Sequence, residues 1–195
     1  MAMQFFDHNG RFSPYDHVVK IFLPIIPRKL KPNHLTLIRL IFTPILIVWL
    51  LTENYLAALI LFIVLALTDL FDGSIARLRN EITEWGKLWD PIADKFLVGS
   101  VVFILLLQLN FSLALLVLGF EVAFIVAGSL KKILAKDKEV QANIWGKIKM
   151  NLQCFGGAFL ILGFFIGSPI LIILAQTLLY LALFFAALSF ISNGI

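Results

Sequence analysis

Four aspartates in one short stretch are the residues of this chain best suited to do chemistry. Asp69 and Asp72 are spaced i, i+3, and Asp90 and Asp94 are spaced i, i+4. On a helix either spacing puts both side chains on one face. Gly73 and Ala76 lie beside the first pair, and Gly86 lies about one turn before the second. Residues that small leave room for another helix or a ligand. Arg77 adds a forked donor suited to a phosphate. Four converging carboxylates repel one another, and one charge inside a membrane already costs about 2.5–3.5 kcal/mol. Divalent cations resolve that conflict. Oxygen donors without His or Cys suit Mg²⁺, Mn²⁺ or Ca²⁺ rather than zinc. Metal ions on a diphosphate, with an arginine on its oxygens, are phosphoryl-transfer machinery. Capping, or pairing with Arg77, Arg79, Lys87 and Lys95, would explain one such aspartate. It does not explain four together with Gly73, Arg77 and Gly86.

The elements that must position these residues follow from composition. Of 195 residues, 61% are hydrophobic and 14% charged, against roughly a quarter charged in soluble domains. So apolar a chain implies an all-α integral membrane protein. Apolar runs predict six transmembrane helices: His34–Leu51, Tyr55–Leu78, Glu84–Leu107, Ser112–Leu134, Ile144–Ile166 and Pro169–Ile191. Each is near the ~20 residues that a hydrocarbon core requires. Thr52-Glu53-Asn54, Asn110 with Ser112, and Gly167-Ser168-Pro169 punctuate the runs, the last with proline at a helix start. The link between the second and third helices is short, so they run antiparallel and their aspartate pairs can face each other. The six helices, residues 34–195, are expected to form one domain after an N-terminal segment, 1–33. Within that segment Pro14–Ile26 is too short to span, and Val18, Val19, Ile21, Phe22 and Leu23 suit an amphipathic interfacial helix. No secretory signal is visible, so the first spanning helix is expected to serve as its own insertion signal.

Charge sets the expected orientation. Arg28, Lys29 and Lys31 precede the first helix, and Arg77, Arg79 and Lys87 flank the link between the second and third. Lys131, Lys132, Lys136, Lys138, Lys147 and Lys149 crowd the link between the fourth and fifth, whereas the opposite loops carry only Glu53. The positive-inside rule then puts both termini and the acidic cluster on the cytoplasmic side of a multi-pass protein, with a plasma membrane as the default. The net charge of +4 is spent on topology and anionic headgroups, which excludes nucleic acid as the partner. Cys154 stands alone in an apolar stretch and reads as a small core residue.

The run Asp69-x₂-Asp72-Gly73-x₂-Ala76-Arg77-x₈-Gly86-x₃-Asp90-x₃-Asp94 resembles, at every position, the signature of the CDP-alcohol phosphotransferase family. The six-helix layout and the interfacial N-terminal helix resemble that family too. The resemblance implies that Asp69, Asp72, Asp90 and Asp94 bind two divalent cations, Mg²⁺ or Mn²⁺, and that Asp94 is also the general base. It implies that Gly73, Ala76 and Arg77 contact the CDP moiety, with Thr83 as a further polar contact. Pro32-Asn33-His34-Leu35-Thr36-Leu37-Ile38-Arg39 resembles the family's approach to its first helix, so Asn33 and Thr36 would line the nucleotide pocket. Asn33 is equally placed to cap that helix, and the two roles are compatible. A homodimer is the family's usual state.

The implied reaction moves a phosphatidyl group from CDP-diacylglycerol to a small alcohol and releases CMP. Asp90-Pro91-Ile92-Ala93-Asp94-Lys95 and Trp145-Gly146-Lys147-Ile148-Lys149-Met150-Asn151-Leu152-Gln153 are similar to the branch whose acceptor is sn-glycerol 3-phosphate. Met150 stands where that branch has threonine, and Phe120 stands before Glu121 where an arginine is usual. Lys131, Lys132, Lys147 and Lys149 could bind a phosphorylated acceptor, or could serve topology alone. At i, i+2 Lys147 and Lys149 cannot both point into one site. Inositol phosphate, phosphatidylglycerol and archaeal ether-lipid substrates remain alternative acceptors or donors. A divalent-cation transporter would instead need acids near the bilayer midplane.

Overall fold

A computed structural model describes residues 31–79, 81, 83–134 and 144–192, with 70, 77, 87 and 128–134 described in backbone only. Every regular element among them is an α-helix: α1 (Pro32–Leu51), α2 (Tyr55–Arg79), α3 (Glu84–Leu109), α4 (Phe111–Leu134), α5 (Ile144–Ile166) and α6 (Pro169–Ser192). The six match the apolar runs, with ends moved by up to two residues. Five of the helices are long and apolar enough to cross a membrane. The other, α4, is apolar over Phe111–Ala127. The chain is therefore an all-α, multi-pass membrane protein. The interfacial helix expected over Pro14–Ile26 lies outside the described residues.

Local chemistry explains the helix ends. Pro32 opens α1, where its missing N–H costs nothing. Asn33 therefore lies inside the first turn and is not its cap. His34 Nδ1 instead accepts from the Lys31 backbone N–H at 3.4 Å. Thr83 caps α3, its hydroxyl accepting the Gly86 N–H at 3.0 Å. Asn110 caps α4, its side-chain oxygen accepting the Leu113 N–H at 3.0 Å. Helix α5 ends at Gly167, whose φ of 69° lets the Ser168 N–H reach back to the Gly163 carbonyl at 3.0 Å. Glu53 takes the corresponding left-handed position after α1, with φ 58°.

The described chain gathers into two compact units. One comprises residues up to Leu46 together with Leu61–Leu97, and the other Ile47–Ile60 with Val98–Ile195. In the first, Leu35 of α1 and Ile75 of α2 are buried, with Ile38, Phe71 and Leu78 packed around them. In the second, α5 and α6 meet along small residues. A Cβ on Gly156 would stand 2.9 Å from the Leu179 side chain, and one on Gly163 2.9 Å from the Ile172 side chain and 3.3 Å from its backbone nitrogen. Small residues are what let membrane helices approach so closely.

Candidate active site

Three polar stripes meet in the first unit. On α1, Thr36, Arg39 and Thr43 are spaced i, i+3, i+7 and are all fully or almost fully buried. On α2 the stripe is Asp69 and Asp72, and on α3 it is Asp90 and Asp94, with Gly86 one turn before them and the cap Thr83 ahead of that. A polar face turned inward is what an apolar solvent demands of a membrane helix. Arg39 sits where the stripes cross. Its Nη1 donates to Asp69 Oδ1 at 2.9 Å and also pairs with Asp94 Oδ1. Its Nη2 pairs with Asp72 Oδ2. Thr36 joins the fourth carboxylate: its hydroxyl donates to Asp90 Oδ1 at 2.5 Å, with Asp72 Oδ2 at 3.5 Å.

Burial grades across the cluster. The Asp72 side chain is 2% exposed, Asp94 22% and Asp69 44%. The cluster is thus most buried at Asp72 and most exposed at Asp69. Gly86 lies close against this cluster: a Cβ there would come within 3.2 Å of Thr83 Oγ1 and 3.3 Å of both Asn33 Oδ1 and Asp90 Oδ2. The Thr83 hydroxyl donates to Asn33 Oδ1 at 2.9 Å, tying the start of α3 to the start of α1. Gly73 and Ala76 are half-buried on α2.

The four signature aspartates of α2 and α3 therefore come together around Thr36 and Arg39 of α1. A family model for CDP-alcohol phosphatidyltransferases matches residues 29–188. The chain belongs to the CDP-alcohol phosphatidyltransferase family. It is 41% identical over 138 residues to the CDP-diacylglycerol–glycerol-3-phosphate 3-phosphatidyltransferase of Rickettsia felis, an alignment covering 68% of this chain and 75% of that one. It is 38% identical over 120 residues to the protein of that name from Aquifex aeolicus, covering 60% and 66%. It is 33% identical over 174 residues to the one from Bacillus subtilis, covering 81% and 90%. This phosphatidyltransferase is thus a membrane-embedded transferase of phospholipid biosynthesis, in a family that generally depends on divalent metal.

The side chains present fit such an ion in kind. Every donor in the cluster is an oxygen, which suits a hard divalent cation. Oxygens of Asp69, Asp72 and Asp94 reach one cationic centre, the Arg39 guanidinium, and Thr36 holds Asp90 alongside. As they stand around Arg39, no three acidic, His or Cys side chains among the described residues are arranged to hold a metal ion.

The basic residues are distributed differently. Lys149 of α5, in the second unit, is buried and paired with Glu121 of α4, with its Nζ 4.6 Å from the centre of the Phe124 ring. Gln153, one turn on, donates to the same Glu121 oxygen at 2.9 Å. Lys147 is exposed, so the two lysines point apart, as their spacing requires. The side chains of Arg77, Lys131 and Lys132 lie outside the described residues. Sequence reading assigned no role to Arg39, and it gave Glu121 and Gln153 none in the site. The available signal was a lone charge in an apolar helix, since a residue such as Arg39 must find a partner inside the bundle.

Proposed function

We propose that this chain transfers the phosphatidyl group of CDP-diacylglycerol to sn-glycerol 3-phosphate, yielding phosphatidylglycerophosphate and CMP. The observation that carries the reading is the convergence of three signature aspartates on Arg39, with the fourth, Asp90, held beside them by Thr36. The shared name of the Rickettsia, Aquifex and Bacillus relatives supports the acceptor.

Asp69, Asp72, Asp90 and Asp94 would hold two divalent cations, Mg²⁺ or Mn²⁺. Those ions would lend Lewis acidity to the diphosphate. Gly73 and Ala76 let the CDP moiety approach the α2 backbone, and Arg77 meets its phosphates. Asn33, Thr36 and Thr83 border the nucleotide. Asp94, part-exposed in the cluster, takes the proton of the acceptor hydroxyl. The acceptor oxygen bonds to the phosphorus that carries diacylglycerol, the bond from that phosphorus to the CMP oxygen breaks, and CMP departs. The acceptor phosphate is drawn by Lys147, with Lys131 and Lys132 near it in sequence. Lys149 acts there through its pair with Glu121. The site faces the cytoplasm of a plasma membrane, and the protein works as a homodimer.

The test is CMP release from CDP-diacylglycerol by purified protein with glycerol 3-phosphate, inositol phosphate, phosphatidylglycerol or no acceptor. Release with glycerol 3-phosphate alone is expected. Release with none of them refutes the activity, and release only with another acceptor moves the chain to another branch.

A further inference from the structure

The three carboxylates on Arg39 present a problem that the reaction does not solve. One guanidinium offsets only part of their charge, yet it is fully buried and uses both terminal nitrogens on them. Its Nε is buried with no hydrogen-bond partner among the described residues. A guanidinium serving only as a fixed pillar would be expected to have its donors met, because each buried orphan N–H costs about 1–3 kcal/mol. The oxygens it takes, Oδ1 of Asp69, Oδ1 of Asp94 and Oδ2 of Asp72, belong to the proposed metal ligands.

We infer that Arg39 is a built-in counter-cation that competes with the divalent ions for these carboxylate oxygens. This rests on the metal reading given under Proposed function. With its fork in place, Arg39 keeps α1, α2 and α3 together and prevents the acids from repelling one another. Metal binding then requires the fork to yield oxygens, so Arg39 weakens the site's grip on metal while keeping it assembled. A positioning residue that merely oriented the aspartates would have the opposite effect, because losing it would weaken metal binding.

Mn²⁺ titration of the purified full chain, followed by electron paramagnetic resonance without substrate, separates the two. In Arg39→Gln the Mn²⁺ concentration for half-saturation is expected to fall by about tenfold, because a positive charge at ion-pair distance has gone. Its unfolding temperature should drop in EDTA and recover with Mn²⁺ more than that of the wild type does. If Arg39→Gln fails to accumulate, Arg39→Lys provides the reading. An ammonium is a point charge and cannot fork across three carboxylates, so half-saturation should shift the same way by a smaller factor. Unchanged or weaker Mn²⁺ binding in the variant that folds overturns the inference and leaves the metal reading standing. A wild-type protein that makes product yet binds no divalent ion overturns both.

Discussion

Asp94 and its three companions share a charge but not a task. Replacing Asp94 with Asn keeps one oxygen donor and removes the proposed base. Turnover should fall by about 10²–10⁴-fold, while CDP-lipid binding, measured by equilibrium titration, changes little. Wild-type turnover in Asp94→Asn would end its assignment as base. The two lysines of α5 make a sharper contrast. Lys147→Ala removes an exposed charge, so stability should hold while the KM for glycerol 3-phosphate rises more than that for the CDP-lipid. Equal rises would remove Lys147 from the acceptor side. Lys149→Ala leaves the buried Glu121 charge with only the Gln153 amide, and loss of a buried ion partner costs about 3–5 kcal/mol, so its first symptom should be a lowered unfolding temperature. If Lys149→Ala is as stable as the wild type, the buried pair contributes little.

At the scale of elements, the contact of α5 with α6 depends on missing side chains. Gly163→Ala would push a methyl group against both the side chain and backbone of Ile172. Overpacking of this kind costs about 1–3 kcal/mol, which a thermal unfolding series would read. The Gly156 methyl would meet only the Leu179 side chain at such range, so Gly156→Ala should cost less. The helices themselves were legible because apolar runs of bilayer length, broken by Thr52–Asn54, Asn110 and Gly167–Pro169, have no soluble alternative. The acidic cluster was legible because i, i+3 and i, i+4 spacing fixes a helix face whatever the neighbours do. Arg39 was not, because its role depends on which way α1 is turned, and that is decided by packing against α2 and α3. The capping alternative for Asn33 fails for a related reason. Pro32 can itself occupy the first helical position, which moves the cap one residue back.

The whole molecule is a set of membrane-length helices whose aspartates range from buried at Asp72 to part-exposed at Asp69 and Asp94. Chelation should therefore separate activity from membrane residence. EDTA should abolish CMP release, and added Mg²⁺ or Mn²⁺ should restore it, while the protein stays with the bilayer through an alkaline wash. Full activity in excess EDTA would remove divalent ions from the reaction.

The burial of Arg39 also bears on how the chain is made. It is the sole Lys, Arg, Asp or Glu of α1, and its partners lie some 30 to 55 residues downstream. A ribosome feeding α1 into a translocon delivers that guanidinium before any carboxylate exists to receive it. Until α2 and α3 emerge, α1 must linger near the headgroups, where its arginine can stay hydrated. Entry of the first three helices into the lipid as a group would give Arg39 its aspartate partners as it leaves the headgroups.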